Sequence, residues 1–227
     1  MTLENFSDGM STLLNSHGVG GQIVLDEYEK SFLLTKAEED IALSLYDGKN
    51  ASRDSFEKSE ELRRWFANLI GEEELEPITD GSGLIGVEDY SEFFQLPDDL
   101  AFITYEAVKA HRSCGGLCTL DVYPVTQDEY HRTKRNPFRG VNVRRALRLD
   151  LSDNLVEIVS AYPVDAYYIR YIKKLKPIIL RDLPDGMEIM GQSRAMNCQL
   201  HESLHQKILD RAVELAIQTR GGGSKKD

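Results

Sequence analysis

The strongest chemical signal in the chain is His201-Glu202-Ser203-Leu204-His205, a literal HExxH. On a helix, histidines four residues apart share a face and can hold one zinc ion, and the glutamate between them can act as general base. A catalytic zinc needs a third protein ligand. Metzincin spacing would put that ligand at Arg211, with Ile208 where the glycine belongs, and a thermolysin-like carboxylate would have to come from a later helix, where only the tail beyond Arg220 follows. Asp210 and Glu214 sit on the same predicted helix as the histidines, and Lys207 takes a place that is usually apolar in such enzymes. As the first turn of a helix the same residues are unremarkable, with Glu202 favoured there by the helix dipole. A second candidate joins Cys114 and Cys118 to Cys198 and His201 as a structural Cys3His zinc site, at permitted spacings. Against it, Cys118 falls in an apparent strand, where a thiol behaves as a small hydrophobe. The three cysteines are an odd count and read as reduced thiols rather than a disulfide framework. Neither a GxxxxGK[ST] phosphate loop nor a GxSxG nucleophile elbow occurs. No catalytic, cofactor-binding or metal-binding residue is therefore assigned.

Charge is the second signal. The chain of 227 residues carries a net charge of -11. From Trp65 to Val108 there is no Lys or Arg, while acids accumulate, among them Glu72, Glu73, Glu74, Glu76, Asp80, Asp98 and Asp99. From His131 to Arg148 the reverse holds, with Arg132, Lys134, Arg135, Arg139, Arg144, Arg145 and Arg148 and no acid. The plain reading is two solvated surfaces of one monomer. The sharper one is a basic face that meets the acidic face of the next subunit, a head-to-tail contact of the kind that closes into rings. The overall acidity argues against sequence-specific reading of nucleic acid, although Tyr130 and Phe138 lie in or beside the basic run. No apolar stretch is long enough to span a membrane, and the first residues do not resemble a signal peptide, so the expected setting is a cytoplasm or a particle assembled there.

These residues have to be positioned by elements that the hydrophobic pattern predicts. Met1 to His17 reads as an amphipathic helix through Leu3, Phe6, Met10, Leu13 and Leu14, ended by Gly18, Gly20 and Gly21. Thr35-Lys36-Ala37-Glu38 reads as a capping box opening a helix that ends at Asp47-Gly48. A second helix is predicted from about Phe56 to Ile70, stopped by Gly71 and paired with the first across a loop from Lys49 to Ser55. Gly71 to Pro97 reads as an acidic loop with one short helix near Ser91. Beyond Pro97 come strands at Leu100 to Val108 and Leu117 to Val125, and a short helix opened by the capping box Thr126-Gln127-Asp128-Glu129. A hairpin follows from Arg144 to Ala161, then a strand from Tyr167 to Ile172. A helix from about Glu202 to Thr219 buries Leu204, Ile208, Leu209, Ala212, Leu215 and Ala216 ahead of a flexible tail. The expected class is α+β. N-terminal helices and a C-terminal helix form a helical base, and a mostly antiparallel β subdomain, sandwich or barrel-like, is inserted in it. The expected division is residues 1–96 helical with the acidic loop, 97–197 the β subdomain, 198–220 the C-terminal helix and 221–227 the tail.

Four segments in order resemble virion proteins of crAss-like phages of gut Bacteroides. They are Glu29-Lys30-Ser31 through Leu43-Ser44-Leu45-Tyr46-Asp47-Gly48-Lys49-Asn50, followed by Ser55 to Arg64; Leu96-Pro97-Asp98-Asp99-Leu100 leading into Ile103-Thr104-Tyr105-Glu106; Tyr123-Pro124-Val125-Thr126-Gln127-Asp128-Glu129-Tyr130 with Asn136-Pro137-Phe138-Arg139; and Lys176-Pro177-Ile178-Ile179-Leu180 followed by Cys198, Leu200, and His205 with Ile208 to Ala216. Leu175 departs from the pattern, where a proline is expected, as does His201. The layout is also similar to adaptor or tail-tube proteins of short-tailed phages. The resemblance implies a structural head-to-tail connector rather than an enzyme. It would form a ring of about twelve copies in the portal-tail neck of the virion, assembled in the host cytoplasm. The implied partners are further copies of the chain, the portal protein, other neck or tail ring proteins, and genomic DNA passing through without sequence readout. On this reading Arg132, Lys134, Arg135, Arg139, Arg144 and Arg145 are candidates for the subunit interface. Glu72, Glu73, Glu74, Glu76, Asp98 and Asp99 are candidates for its acidic counterpart or for the lumen. The competing readings are a zinc metallohydrolase built on His201, Glu202 and His205, and an acidic intracellular binding protein of the phage.

Overall fold

The computed structural model describes residues 1–17, 24–46, 60–78, 86–88, 90–112, 115–151 and 154–221. In chain order the elements are α1 (Leu3–His17), α2 (Glu27–Tyr46), α3 (Glu60–Trp65), β1 (Ile70–Leu75), β2 (Ser91–Gln95), β3 (Leu100–His111), β4 (Leu117–Val125), α4 (Gln127–Lys134), β5 (Arg145–Asp150), β6 (Leu155–Val159), β7 (Val164–Lys173) and α5 (His205–Gly221). They fall into two compact units, Met1–Leu69 with Leu175–Asp227, and Ile70–Lys174. The class is α+β, with helices at both ends of the chain and a mostly antiparallel sheet between them. No helix among the described residues is long and apolar enough to cross a membrane.

In the helical unit α5 packs on both α1 and α2. Helix α1 buries Phe6, Met10 and Leu14, one residue per turn, and α5 buries Ile208, Leu209, Ala212, Val213 and Ala216. Each stripe follows the helical repeat and is hidden by the other helices rather than by its own propensity. Helix α2 differs from expectation. Its capping box is Asp26–Glu29, where the Asp26 carboxylate accepts from the Glu29 N–H (2.7 Å) and Glu29 accepts from the Asp26 N–H (3.1 Å). Thr35 and Glu38 lie inside the helix on a buried polar stripe with Ser31. That stripe holds two extended segments by their backbone. Ser31 Oγ accepts from the Leu180 N–H (3.0 Å), Thr35 Oγ1 from the Ile178 N–H (3.1 Å) and Glu38 Oε1 from the Gln199 N–H (3.2 Å). Ile179 bridges Met196 on the other edge of its segment, and the amides of Ile178 and Leu180 that face the helix are satisfied by side chains of α2.

Helix α3 stops at Trp65, and a short 3-10 turn at Ala67–Leu69 leads directly into β1. Gly71, expected as a helix stop, lies instead in β1 opposite Tyr171. A Cβ at Gly71 would stand 2.7 Å from the Tyr171 ring, so the strand needs glycine there for close approach. The expected acidic loop therefore contains two strands, and Ser91 opens β2 rather than a helix. The Gly18–Gly21 cluster, the Asp47-Gly48 stop and the Lys49–Ser55 loop lie outside the described residues.

All seven strands belong to one sheet in the order β1-β7-β3-β4-β5-β6-β2. Among the described residues only β4 and β5 pair in parallel, joined by the α4 crossover. The sheet is rolled. Phe94 on β2 and Tyr167 on β7 are five strand positions apart, roughly 24 Å in a flat sheet, yet their ring centroids are 5.4 Å apart. Beyond β1, the Ile78 N–H donates to the Phe93 carbonyl (2.8 Å), bringing the two edges together. The enclosed core includes Phe94, Val108, Leu120, Ala146, Ile158, Tyr167 and Tyr171. On the outer face Tyr130 of α4 covers Leu147, Leu149 and Val159. One partly buried charge pair sits in the barrel wall: Arg148 donates to Glu106 (2.7 Å), and the Tyr167 hydroxyl donates to the same carboxylate (2.5 Å). Burial lifts the Glu106 carboxyl above its ordinary range in spite of Arg148.

Candidate assembly surface

The basic run is built by α4 and the irregular segment that carries the crossover to β5. Lys134 pairs with Glu88, whose carboxylate also accepts from the Tyr130 hydroxyl (3.0 Å). Arg145 lies over the Tyr123 ring, 4.2 Å from its centroid, and donates to the Phe138 carbonyl (2.6 Å). Those two candidates therefore work inside their own unit. Arg132, Arg135, Arg139 and Arg144 are exposed and make no side-chain ion pair among the described residues. Between them Phe138 is 85% exposed. Its backbone is held by an Asx turn in which Asn136 Oδ1 accepts from the Phe138 N–H (2.9 Å) and the Arg139 N–H (3.2 Å). The Gly140 N–H closes the turn on the Asn136 carbonyl (2.8 Å), and a Cβ at Gly140 would stand 2.7 Å from the Lys134 carbonyl oxygen. An aromatic ring is thus presented to solvent on a fixed backbone among guanidinium groups that make no ion pair with the described residues.

The acidic candidates are more committed than their sequence suggests. In β1, Glu72 pairs with Arg170 (3.4 Å), Glu74 with Lys109 (2.7 Å), and Glu73 accepts from the Tyr171 hydroxyl (2.8 Å). Asp99 accepts from the same hydroxyl (3.2 Å) and lies 3.7 Å from Lys173. Glu76 and Asp98 are exposed. The cations that answer these acids come from β3 and β7, well away in sequence, which is why a local charge count misses them. Carboxylates along β1 also discourage pairing with other chains at that edge of the sheet.

The HExxH residues are engaged in packing. His201 caps the 3-10 turn Glu202–Leu204, its Nδ1 accepting from the Ser203 N–H (3.3 Å). His205 is buried, with Nε2 3.1 Å from the Leu200 carbonyl and Nδ1 2.7 Å from the Met1 amino nitrogen. Burial holds its imidazole below the usual value, so it is neutral at pH 7 and both ring nitrogens are occupied. Of the cysteine set, Cys118 donates to the Ala110 carbonyl across β3 and β4 (3.3 Å), and Cys198 donates to Glu38 (3.1 Å), while Cys114 lies outside the described residues. Burial and the neighbouring Glu38 push the Cys198 thiol well up, so it stays protonated and unreactive.

The family described as phage tail ring protein 3/4 matches the chain over residues 1–227. The chain is 46% identical over 221 residues to "Ring protein 3" of Bacteroides phage crAss001, covering 96% of this chain and 95% of that protein. It is 29% identical over 227 residues to "Ring protein 4/5" of the same phage, covering 95% and 92%.

Proposed function

Because the chain belongs to the phage tail ring protein 3/4 family, we propose that it is a structural subunit of a closed ring in the neck of a crAss-like phage, where it docks on the portal, joins further ring or tail proteins and forms part of the channel for DNA. The observation that carries this reading is the family match along the whole chain. Nothing at the HExxH favours the hydrolase, since His205 spends both ring nitrogens on packing. Copies related by one rotation bury the same two patches at every contact, and about twelve such contacts close the ring. Exposed arginines at 132, 135, 139 and 144 serve as one patch. Exposed acids, Glu76 and Asp98 with the β1 glutamates, either answer them or face the lumen, where like charge lets DNA phosphates slide past.

Deleting the gene from the phage tests the subunit role. The expected product is filled or partly filled capsids without tails; normal tailed particles would refute it. Replacing Glu76 and Asp98 with Lys tests the lumen placement. Slower DNA ejection from otherwise intact particles is expected, and unchanged ejection kinetics would remove these residues from the channel.

A further inference from the structure

The helical unit carries a hole of matching character to the Phe138 knob. Between the start of α2 and the end of α5 lies an open cavity of about 210 Å³, lined by Leu25, Tyr28, Phe32, Leu33 and Ala216, with Glu29 and Thr219 at its edge. Phe32 is 46% exposed and Ile217, beside Ala216, is 37% exposed, so the apolar lining reaches the surface. A cavity of about 150 Å³ with apolar walls holds a benzene ring, so this one has room for a single aromatic side chain. The start of α2, which supplies Leu25, Tyr28 and Glu29 to the cavity, is acidic, with Asp26 and Glu29 exposed and Glu27 paired with Lys30, whereas the knob is flanked in the chain by the exposed Arg132, Arg135, Arg139 and Arg144.

We propose that Phe138 of one copy of this chain inserts into the α2–α5 groove of the next copy, with the flanking arginines meeting the acidic start of α2. The inference rests on the ring reading and names its contact. Three features select a second copy as the occupant. Knob and hole are different surfaces of one chain, so their contact is heterologous and repeats around a ring. Their charges are opposite. The knob is also preorganised, because the Asx turn and the Arg145–Phe138 bond hold its backbone before any partner arrives, which lowers the ordering cost of binding. An aromatic anchor in a well-packed apolar pocket is a common composition of an interface hot spot.

The test mixes two purified full-length variants, Pro137→Cys, which sits at an exposed neighbour and keeps the Phe138 ring, and Thr219→Cys, with a short bismaleimide. Each variant alone and the wild-type chain serve as controls for the native cysteines. Cross-linked dimers are expected only in the mixture, and a ladder of higher species in the double variant. In parallel, Phe138→Ala should weaken self-association by roughly 30-fold or more while keeping the wild-type circular dichroism and melting temperature, since Phe138 is almost fully exposed within its own subunit. A wild-type chain that stays monomeric up to its solubility limit overturns the proposal. So does a Phe138→Ala chain that associates like wild type, or a Thr219→Cys chain that in particles cross-links to a different virion protein. The ring reading fails separately: a chain absent from purified virions refutes that reading, whereas a chain abundant there without the 137–219 cross-link refutes only this contact.

Discussion

Glu38 sits inside α2 at 1% exposure. One carboxylate oxygen accepts from Cys198 and the Gln199 N–H, and the other has no hydrogen-bond partner among the described residues. Burial pushes its carboxyl from the ordinary 4.5 up to about 7, against the hydrogen bonds that favour the charge. Because the folded value lies above the unfolded one, the contribution of this group to stability is fully present below about pH 4.5 and is lost as pH rises through about 7. Glu38→Gln stays neutral and keeps the acceptor. The variant should exceed the wild type by on the order of 1–3 kcal/mol at about pH 8, with the gap closing below about pH 5. Urea denaturation at the two pH values measures it, and a gap independent of pH would refute the assignment. Arg148 poses the opposite case. Removing it in Arg148→Met leaves Glu106 buried without its cation, which should cost about 3–5 kcal/mol. The double variant with Glu106→Leu should recover much of that loss in the same denaturation assay.

At the scale of elements, α2 joins the helical unit through side-chain to backbone bonds as well as apolar packing. Thr35→Val preserves shape but leaves the Ile178 amide buried and unpaired, and should cost about 1–3 kcal/mol. Substituting the exposed neighbour Lys36 with Ala should change little. Thermal denaturation of both variants checks the contrast. The same stripe explains where sequence reading succeeded and where it failed. Strands β3, β4 and β7 were legible because Val, Ile, Tyr and Thr dominate them, and α1 and α5 because Phe6, Met10, Ile208 and Ala212 keep helical period. Strand β1 was not. Ile-Gly-Glu-Glu-Glu-Leu has little β propensity, and it forms a strand because β7 offers a ladder and Gly71 admits the Tyr171 ring. In α2 the Thr35–Glu38 spacing imitates a capping box, and only the distant segments at Ile178 and Gln199 reveal its other role. The candidate arginines were legible as a run, but which of them remain exposed depended on Glu88, Tyr123 and the Phe138 carbonyl. Phe138 itself had only its position among the arginines to mark it.

At the scale of the whole molecule, the net charge of -11 is unevenly spread. Exposed cations gather between α4 and β5 while carboxylates line β1 and the start of α2, and a chain with opposed patches can serve as both donor and acceptor in a repeating contact. The central claim is that this chain is a stoichiometric ring component of the virion. Quantitative mass spectrometry of purified particles, with copy number referenced to the portal protein, tests it most directly. The account predicts a fixed ratio, near one chain per portal subunit. Absence from the particle, or a trace amount varying between preparations, would contradict it.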